Sequence, residues 1–321
     1  MIRRPRPFRV LHALVLALAL GVAGSSCITT PVTGRSAFVL FDDGEMAQLG
    51  SQAFAELQKQ TRPSRDTRSK LVIDRVVQRI VASAGPETQG VTWEVQLFDS
   101  DEVNAFALPG GKVGVYAGIL PVVENEAGLA AVLGHEIGHV VAKHSAQRMS
   151  TAALTNLGLE VAGAALSNNK NADIIMAGLG LGATVGVALP FSRSNEAEAD
   201  QIGQIYMARA GYDPREAARL WVRMERSAEQ QGGGKPPELL STHPADRARV
   251  TALEANLGRA LPEYQRSPQY GLGETLAPLP PTQHAKGGAK SRAPEPEPDS
   301  DEGAQGSSPR DRGGRGWLAP R

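Results

Sequence analysis

Two histidines and a glutamate stand at His135, Glu136 and His139, in the order His-Glu-Ile-Gly-His, inside an apolar run. Positions four apart on a helix differ by about 40° around the axis, so both imidazoles would share one face. Nitrogen donors so placed suit a single zinc ion. Glu136, beside the first histidine, can serve as general base toward a water on that metal. The pattern implies metal-assisted hydrolysis. Its flanks agree: Leu129, Ala130, Ala131, Val132, Leu133, Ile137, Val140 and Val141 make the segment apolar nearly all round. Such a helix is buried, and buried histidine and glutamate need partners, which a metal supplies.

A hydrolytic zinc site takes a third protein ligand. His144 is a poor candidate, because five residues past His139 it lies about 140° away around the helix. It reads as a polar residue at the helix end. The segment Arg193 to Asp200 offers more. Glu196 and Asp200 are four apart and share a helical face. One of these carboxylates can bind the metal while the other holds a ligand histidine by its far nitrogen. Glu198 points elsewhere on that helix.

The elements that must position these groups are legible in outline. Asp42 to Leu57 reads as a helix capped at Asp42 or Asp43. Arg65 to Ala84 carries Val72, Ile73, Val76, Val77 and Ile80 at mostly helical spacing. Val91, Trp93, Val95 and Leu97 alternate with polar residues and predict a half-buried strand. Asn104 to Leu108 and Lys112 to Tyr116 flank Pro109-Gly110-Gly111, a hairpin signal. The zinc helix is expected over 124–147, and further helices over 195–210, 214–230 and 245–257. The segment 231–237 reads as a flexible loop. The fold class expected is α+β, mainly helical with a small β-sheet.

Residues 174–191 contain no charge, and a membrane span needs about 20 such residues. Glycines 178, 180, 182 and 186 weaken an isolated helix there. The stretch reads as a hydrophobic helix that covers the site or touches a membrane surface.

Basic and acidic residues balance at 34 each, so nothing points to nucleic acid. Arg3, Arg4, Arg6 and Arg9 precede the apolar stretch Val10 to Ala23, then Gly24-Ser25-Ser26 and the sole cysteine, Cys27. This predicts a lipoprotein-type signal peptide over 1–26 and a lipid on Cys27. A zinc peptidase domain is expected over 27–266. From 267 to 321 the chain is rich in Pro, Gly, Ser and charge, and is expected to be disordered.

Together these segments resemble the gluzincin metallopeptidases, in the branch of the CAAX prenyl endopeptidases and their bacterial relatives. The resemblance rests on the His135 to His139 motif followed by Glu196 and Asp200. It rests also on Asn104 to Gly111, Ala117-Gly118-Ile119-Leu120, Thr242-His243-Pro244 with Arg249, and Pro31-Val32-Thr33-Gly34-Arg35. The last is typical of periplasmic lipoprotein members, and the β-barrel assembly-enhancing protease group is similar, although its tetratricopeptide extension is missing here. The resemblance implies one zinc per chain, held by His135, His139 and Glu196. It implies Glu136 as catalytic base and Asp200 as the group orienting a ligand histidine. His243 is implied either as a catalytic oxyanion donor or as a plug on zinc's open position. The expected activity is a zinc endopeptidase in quality control of misfolded or misassembled cell-envelope proteins. Its expected location is the periplasmic face of the envelope, lipid-anchored to the outer membrane. The strand Lys112 to Tyr116 is expected to offer an edge for a substrate strand. A non-proteolytic chaperone with a structural zinc, or a membrane-embedded peptidase, is the alternative. The intact Glu136 favours an enzyme over a scaffold.

Overall fold

The computed structural model describes residues 27–161, 192–230, 238–243 and 247–276, with the backbone alone for 154–161, 230 and 238. Contacts divide the chain into residues 1–280 and 281–321, and every described residue belongs to the first unit. The expected signal peptide, the uncharged stretch 174–191 and the loop 231–237 lie outside the described residues.

Two short strands, β1 (Cys27–Thr29) and β2 (Ser36–Phe38), pair antiparallel, with Cys27 opposite Phe38. Cys27 is exposed. Helix α1 (Asp43–Gln60) opens on a capping box. The Asp42 carboxylate accepts from the Glu45 N–H at 2.8 Å, and the Asp42 N–H donates to Glu45 at 3.0 Å. Helix α2 (Thr67–Ala84) buries the stripe Val72, Ile73, Val76, Val77 and Ile80, while Leu71 faces solvent.

A three-stranded sheet follows, built from β3 (Glu94–Phe98), β4 (Ala105–Leu108) and β5 (Lys112–Tyr116). The hairpin at Pro109-Gly110-Gly111 forms as its sequence predicts, with both glycines at positive φ. The strand order is β3-β5-β4, with β5 parallel to β3 and antiparallel to β4. This corrects one expectation: Lys112 to Tyr116 is the central strand and has no edge to offer. The outer side of β3 bonds to residues 62–64, through Ser64 N–H to the Leu97 carbonyl and Asp99 N–H to the Arg62 carbonyl. Strand β4 packs against the helix that carries the histidines.

That helix, α3 (Glu126–Val141), is capped by Asn125, whose side chain accepts from the Gly128 N–H at 2.9 Å. It is buried along nearly its whole length. The continuous helix expected over 124–147 breaks at Ala142-Lys143, where Lys143 adopts φ 56°, and α4 (His144–Val161) starts afresh. Helices α5 (Arg193–Arg209), α6 (Arg215–Gln230), the short α7 (Glu238–Thr242) and α8 (Arg247–Gln265) complete the domain. The packing is mainly helical around small sheets, as the fold class predicts. Among the described residues no helix is long and apolar enough to cross a membrane.

The folded chain runs past residue 266, where the sequence reading ended it. The Glu126 and Ala127 N–H groups, which α3 itself cannot satisfy, donate to the Glu274 and Leu272 carbonyls at 3.0 Å. Leu276 is buried and its N–H reaches the Glu124 carbonyl at 2.8 Å. Composition suggested a disordered segment, but the unmet donors of a buried helix start give residues 271–276 a docking place.

Candidate metal centre

Helix α3 meets α5 at two glycines. A Cβ on Gly203 would stand 2.6 Å from the Gly134 carbonyl carbon and the His135 nitrogen. The two backbones therefore touch, and this closeness brings the first turn of α5 beneath the histidine face of α3. Ser192 caps α5, accepting from the Asn195 N–H at 3.3 Å.

Four side chains converge there. The ligand atoms of His135, His139, Glu196 and His243 all lie within 4.8 Å of one another, and all four residues are buried. His135 Nε2 is 3.1 Å from His139 Nε2 and 3.2 Å from His243 Nδ1. Glu196 Oε1 is 3.3 Å from His139 Nε2 and 3.0 Å from His243 Nδ1. Its Oε2 is 3.5 Å from His135 Nε2. Tetrahedral zinc with bonds near 2.0–2.1 Å sets its ligands roughly 3.3 Å apart. Three imidazole nitrogens and a carboxylate cannot all satisfy one another with the protons they carry, whereas one cation would satisfy all four. The donor set fits zinc.

Outside this quartet His135 and His139 are each held from behind. His135 Nδ1 lies 2.9 Å from Asp200 Oδ1, so the two carboxylates sort as Glu196 facing the cluster and Asp200 behind it. Arg249 grips Asp200 through Nε at 2.8 Å and a terminal nitrogen at 2.7 Å, reaches Glu196 at 3.0 Å, and stacks 3.7 Å over Trp221. Glu136 is buried beside His135. Its Oε1 lies 3.5 Å from His243 Nε2 and has no hydrogen-bond partner among the described residues. Such an orphaned buried oxygen is what a base awaiting a water presents.

The electrostatics follow from burial and charge. Burial opposes a charge on His135, but the Asp200 and Glu196 carboxylates outweigh it and push the pKa up to about 9. At His139 burial wins and pulls the pKa well below the usual value. Burial also pushes the Glu136 carboxyl up. At Glu196 burial is outweighed by the imidazoles of His243, His135 and His139, which hold the carboxyl far below its ordinary range. Asp200 is likewise held low against its burial, chiefly by Arg249.

Three further groups were not read from the sequence as site residues. The sequence spacing reads His144 as a polar helix end and Glu198 as pointing elsewhere. Both are buried: His144 Nδ1 is 2.8 Å from His139 Nδ1, and its Nε2 is 3.0 Å from Glu198 Oε2. The break at Lys143 turns His144 back toward His139, which the angle along a continuous helix could not anticipate. Arg249 had a signal, its place after Thr242-His243-Pro244, but no role.

The pattern of peptidase family M48 matches residues 67–257, which is more than half of the chain. The chain belongs to peptidase family M48. The domain is a zinc metalloendopeptidase domain. Among relatives, the chain is 38% identical over 200 residues to the mitochondrial metalloendopeptidase OMA1 of Schizosaccharomyces pombe, covering 62% of this chain and 56% of that protein. It is 32% identical over 262 residues to its Saccharomyces cerevisiae counterpart, covering 76% and 72%. It is 33% identical over 205 residues to the β-barrel assembly-enhancing protease of Yersinia pestis, covering 61% and 40%. The chain thus spans little more than half of the first relative and less than half of the last.

These findings support the M48 peptidase reading but do not single out a bacterial lipoprotein branch. They overturn the location expected from the N-terminus. Relatives named as mitochondrial match at 38% and 32% identity, so the periplasmic face of an outer membrane is withdrawn. A charged, apolar N-terminal stretch ending in small residues is not specific enough to choose a membrane.

Proposed function

We propose that this chain cleaves internal peptide bonds in extended stretches of unfolded or misassembled proteins, as a quality-control endopeptidase. One observation carries the reading: His135, His139 and Glu196 converge beside a buried Glu136 whose Oε1 has no hydrogen-bond partner among the described residues. His135, His139 and Glu196 would hold a zinc ion, which when bound would supply Lewis acidity toward a scissile carbonyl and a water. Glu136 takes the water's proton and passes it to the leaving amine. Asp200 fixes the His135 tautomer through Nδ1, and Arg249 holds Asp200 in place.

Substrate pairs with the outer side of β4. The Tyr116 N–H donates to the Asn104 carbonyl, so Asn104, Phe106 and Leu108 turn their main-chain groups toward β5. Ala105 and Ala107 turn theirs away from β5. The Ala107 N–H already meets the Glu136 carboxylate, which ties this edge to the base. Backbone pairing reads little side-chain sequence and needs an extended chain, which suits unfolded substrates.

His243 completes the quartet through Nδ1, and its Nε2 looks toward Glu136. It therefore occupies the position that water must take, and we assign it to a resting state that it leaves on activation. The test compares cleavage of one substrate protein in its folded and chemically unfolded forms. Faster cleavage of the unfolded form is expected, and equal or faster cleavage of the folded form overturns the proposal.

A further inference from the structure

Glu198 lies two residues beyond Glu196 on α5, so it projects from a different face, about 160° away. It is buried there against the turn between β1 and β2. Its Oε1 accepts from the Thr30 hydroxyl at 2.6 Å and from the Thr33 hydroxyl. Its Oε2 accepts from Arg35 Nε at 2.6 Å. The same Oε2 lies 3.0 Å from His144 Nε2, and His144 Nδ1 lies 2.8 Å from His139 Nδ1.

Proton placement follows from these contacts. Glu198, gripped by Arg35 and two hydroxyls, can only accept, so His144 carries its proton on Nε2. His144 Nδ1 is then an acceptor, and the proton between the two rings belongs to His139 Nδ1. That leaves His139 Nε2 with its lone pair, not a proton, facing the quartet. His135 is oriented directly by a carboxylate; His139 is oriented through an intervening imidazole.

We propose that Thr30, Thr33 and Arg35, acting through Glu198 and His144, form a positioning relay that fixes the tautomer and ring plane of His139, so that zinc affinity depends on the β1–β2 turn. The Pro31-Val32-Thr33-Gly34-Arg35 motif thereby acquires a task in the metal centre. The inference rests on the reading of His139 as a zinc ligand.

The test is zinc affinity of the full chain at neutral pH by competition with a chelator. His144→Ala and Glu198→Gln are each expected to weaken zinc by roughly 10- to 100-fold, the usual effect of removing a group behind a ligand. The double variant is expected to bind no more weakly than His144→Ala alone, because both act along one path. Thr33→Val is expected to weaken zinc several-fold and Thr33→Ser to restore it. That pair also decides the question should His144→Ala fail to fold. Unchanged zinc affinity in His144→Ala or Thr33→Val, or fully additive losses in the double variant, overturns the relay. His139→Ala separates the two claims. Retained zinc there overturns the ligand assignment itself, whereas lost zinc with an unaffected Thr33→Val overturns only the relay.

Discussion

Gly134 and Gly203 touch backbone to backbone, and the metal centre hangs from that contact. A methyl on Gly203 would fall 2.6 Å from Gly134 and His135 main-chain atoms. Helices α3 and α5 would have to separate, carrying Glu196 and Asp200 away from the histidines. Gly203→Ala is expected to cost about 1–3 kcal/mol, the range for overpacking a core, and to lower zinc affinity although no ligand is altered. Thermal unfolding with and without zinc measures both. A variant with wild-type zinc affinity would show that the crossing does not set the site.

Ligand removal tests the donor set. His135→Ala, His139→Ala and Glu196→Ala are each expected to abolish most zinc binding, measured as metal per chain. Asp200→Asn is expected to weaken it by roughly 10- to 100-fold, because an amide that turns its N–H₂ toward His135 Nδ1 no longer accepts that proton. Full zinc retention in Glu196→Ala would move the third ligand elsewhere, with His243 the nearest donor.

The pairing of these residues and the carboxylate behind His135 were legible, and the support behind His139 was not. Spacing alone put His135 with His139 and Glu196 with Asp200, because a four-residue step is dictated by the helix itself. His144 and Glu198 escaped because their partners are set by a helix break at Lys143 and by a turn far upstream. The hairpin strands β4 and β5 were readable from the turn between them, but their order with β3 was not. A parallel neighbour arrives through a crossover whose placement depends on tertiary packing. Residues 271–276 show the same limit from the other side: a segment poor in apolar residues is ordered by a helix end that lacks partners.

Those residues yield a sharper truncation result than composition alone. A chain ending at 276 is expected to keep its melting temperature, and one ending at 266 to lose several degrees. The shorter chain leaves the buried Glu126 and Ala127 N–H groups without their carbonyl acceptors and removes Glu274 from Arg75 and Arg68. Lost hydrogen bonds that leave buried donors unmet cost about 1–3 kcal/mol each. Equal melting temperatures would show that the segment contributes nothing to α3.

For His243 the sign of the change decides the role. If it occupies the position of the attacking water at rest, His243→Ala is expected to raise cleavage with zinc retained. A fall of roughly 100-fold or more would instead make it an oxyanion donor. No change would remove it from the chemistry altogether.

The most direct measurement of the central claim compares Glu136→Gln with the wild-type chain for both zinc content and cleavage of an unfolded protein. The substitution preserves shape and all of the ligand atoms but removes the base. Zinc is expected to stay near one per chain while cleavage falls by orders of magnitude. Cleavage near the wild-type rate with zinc in place would contradict the account.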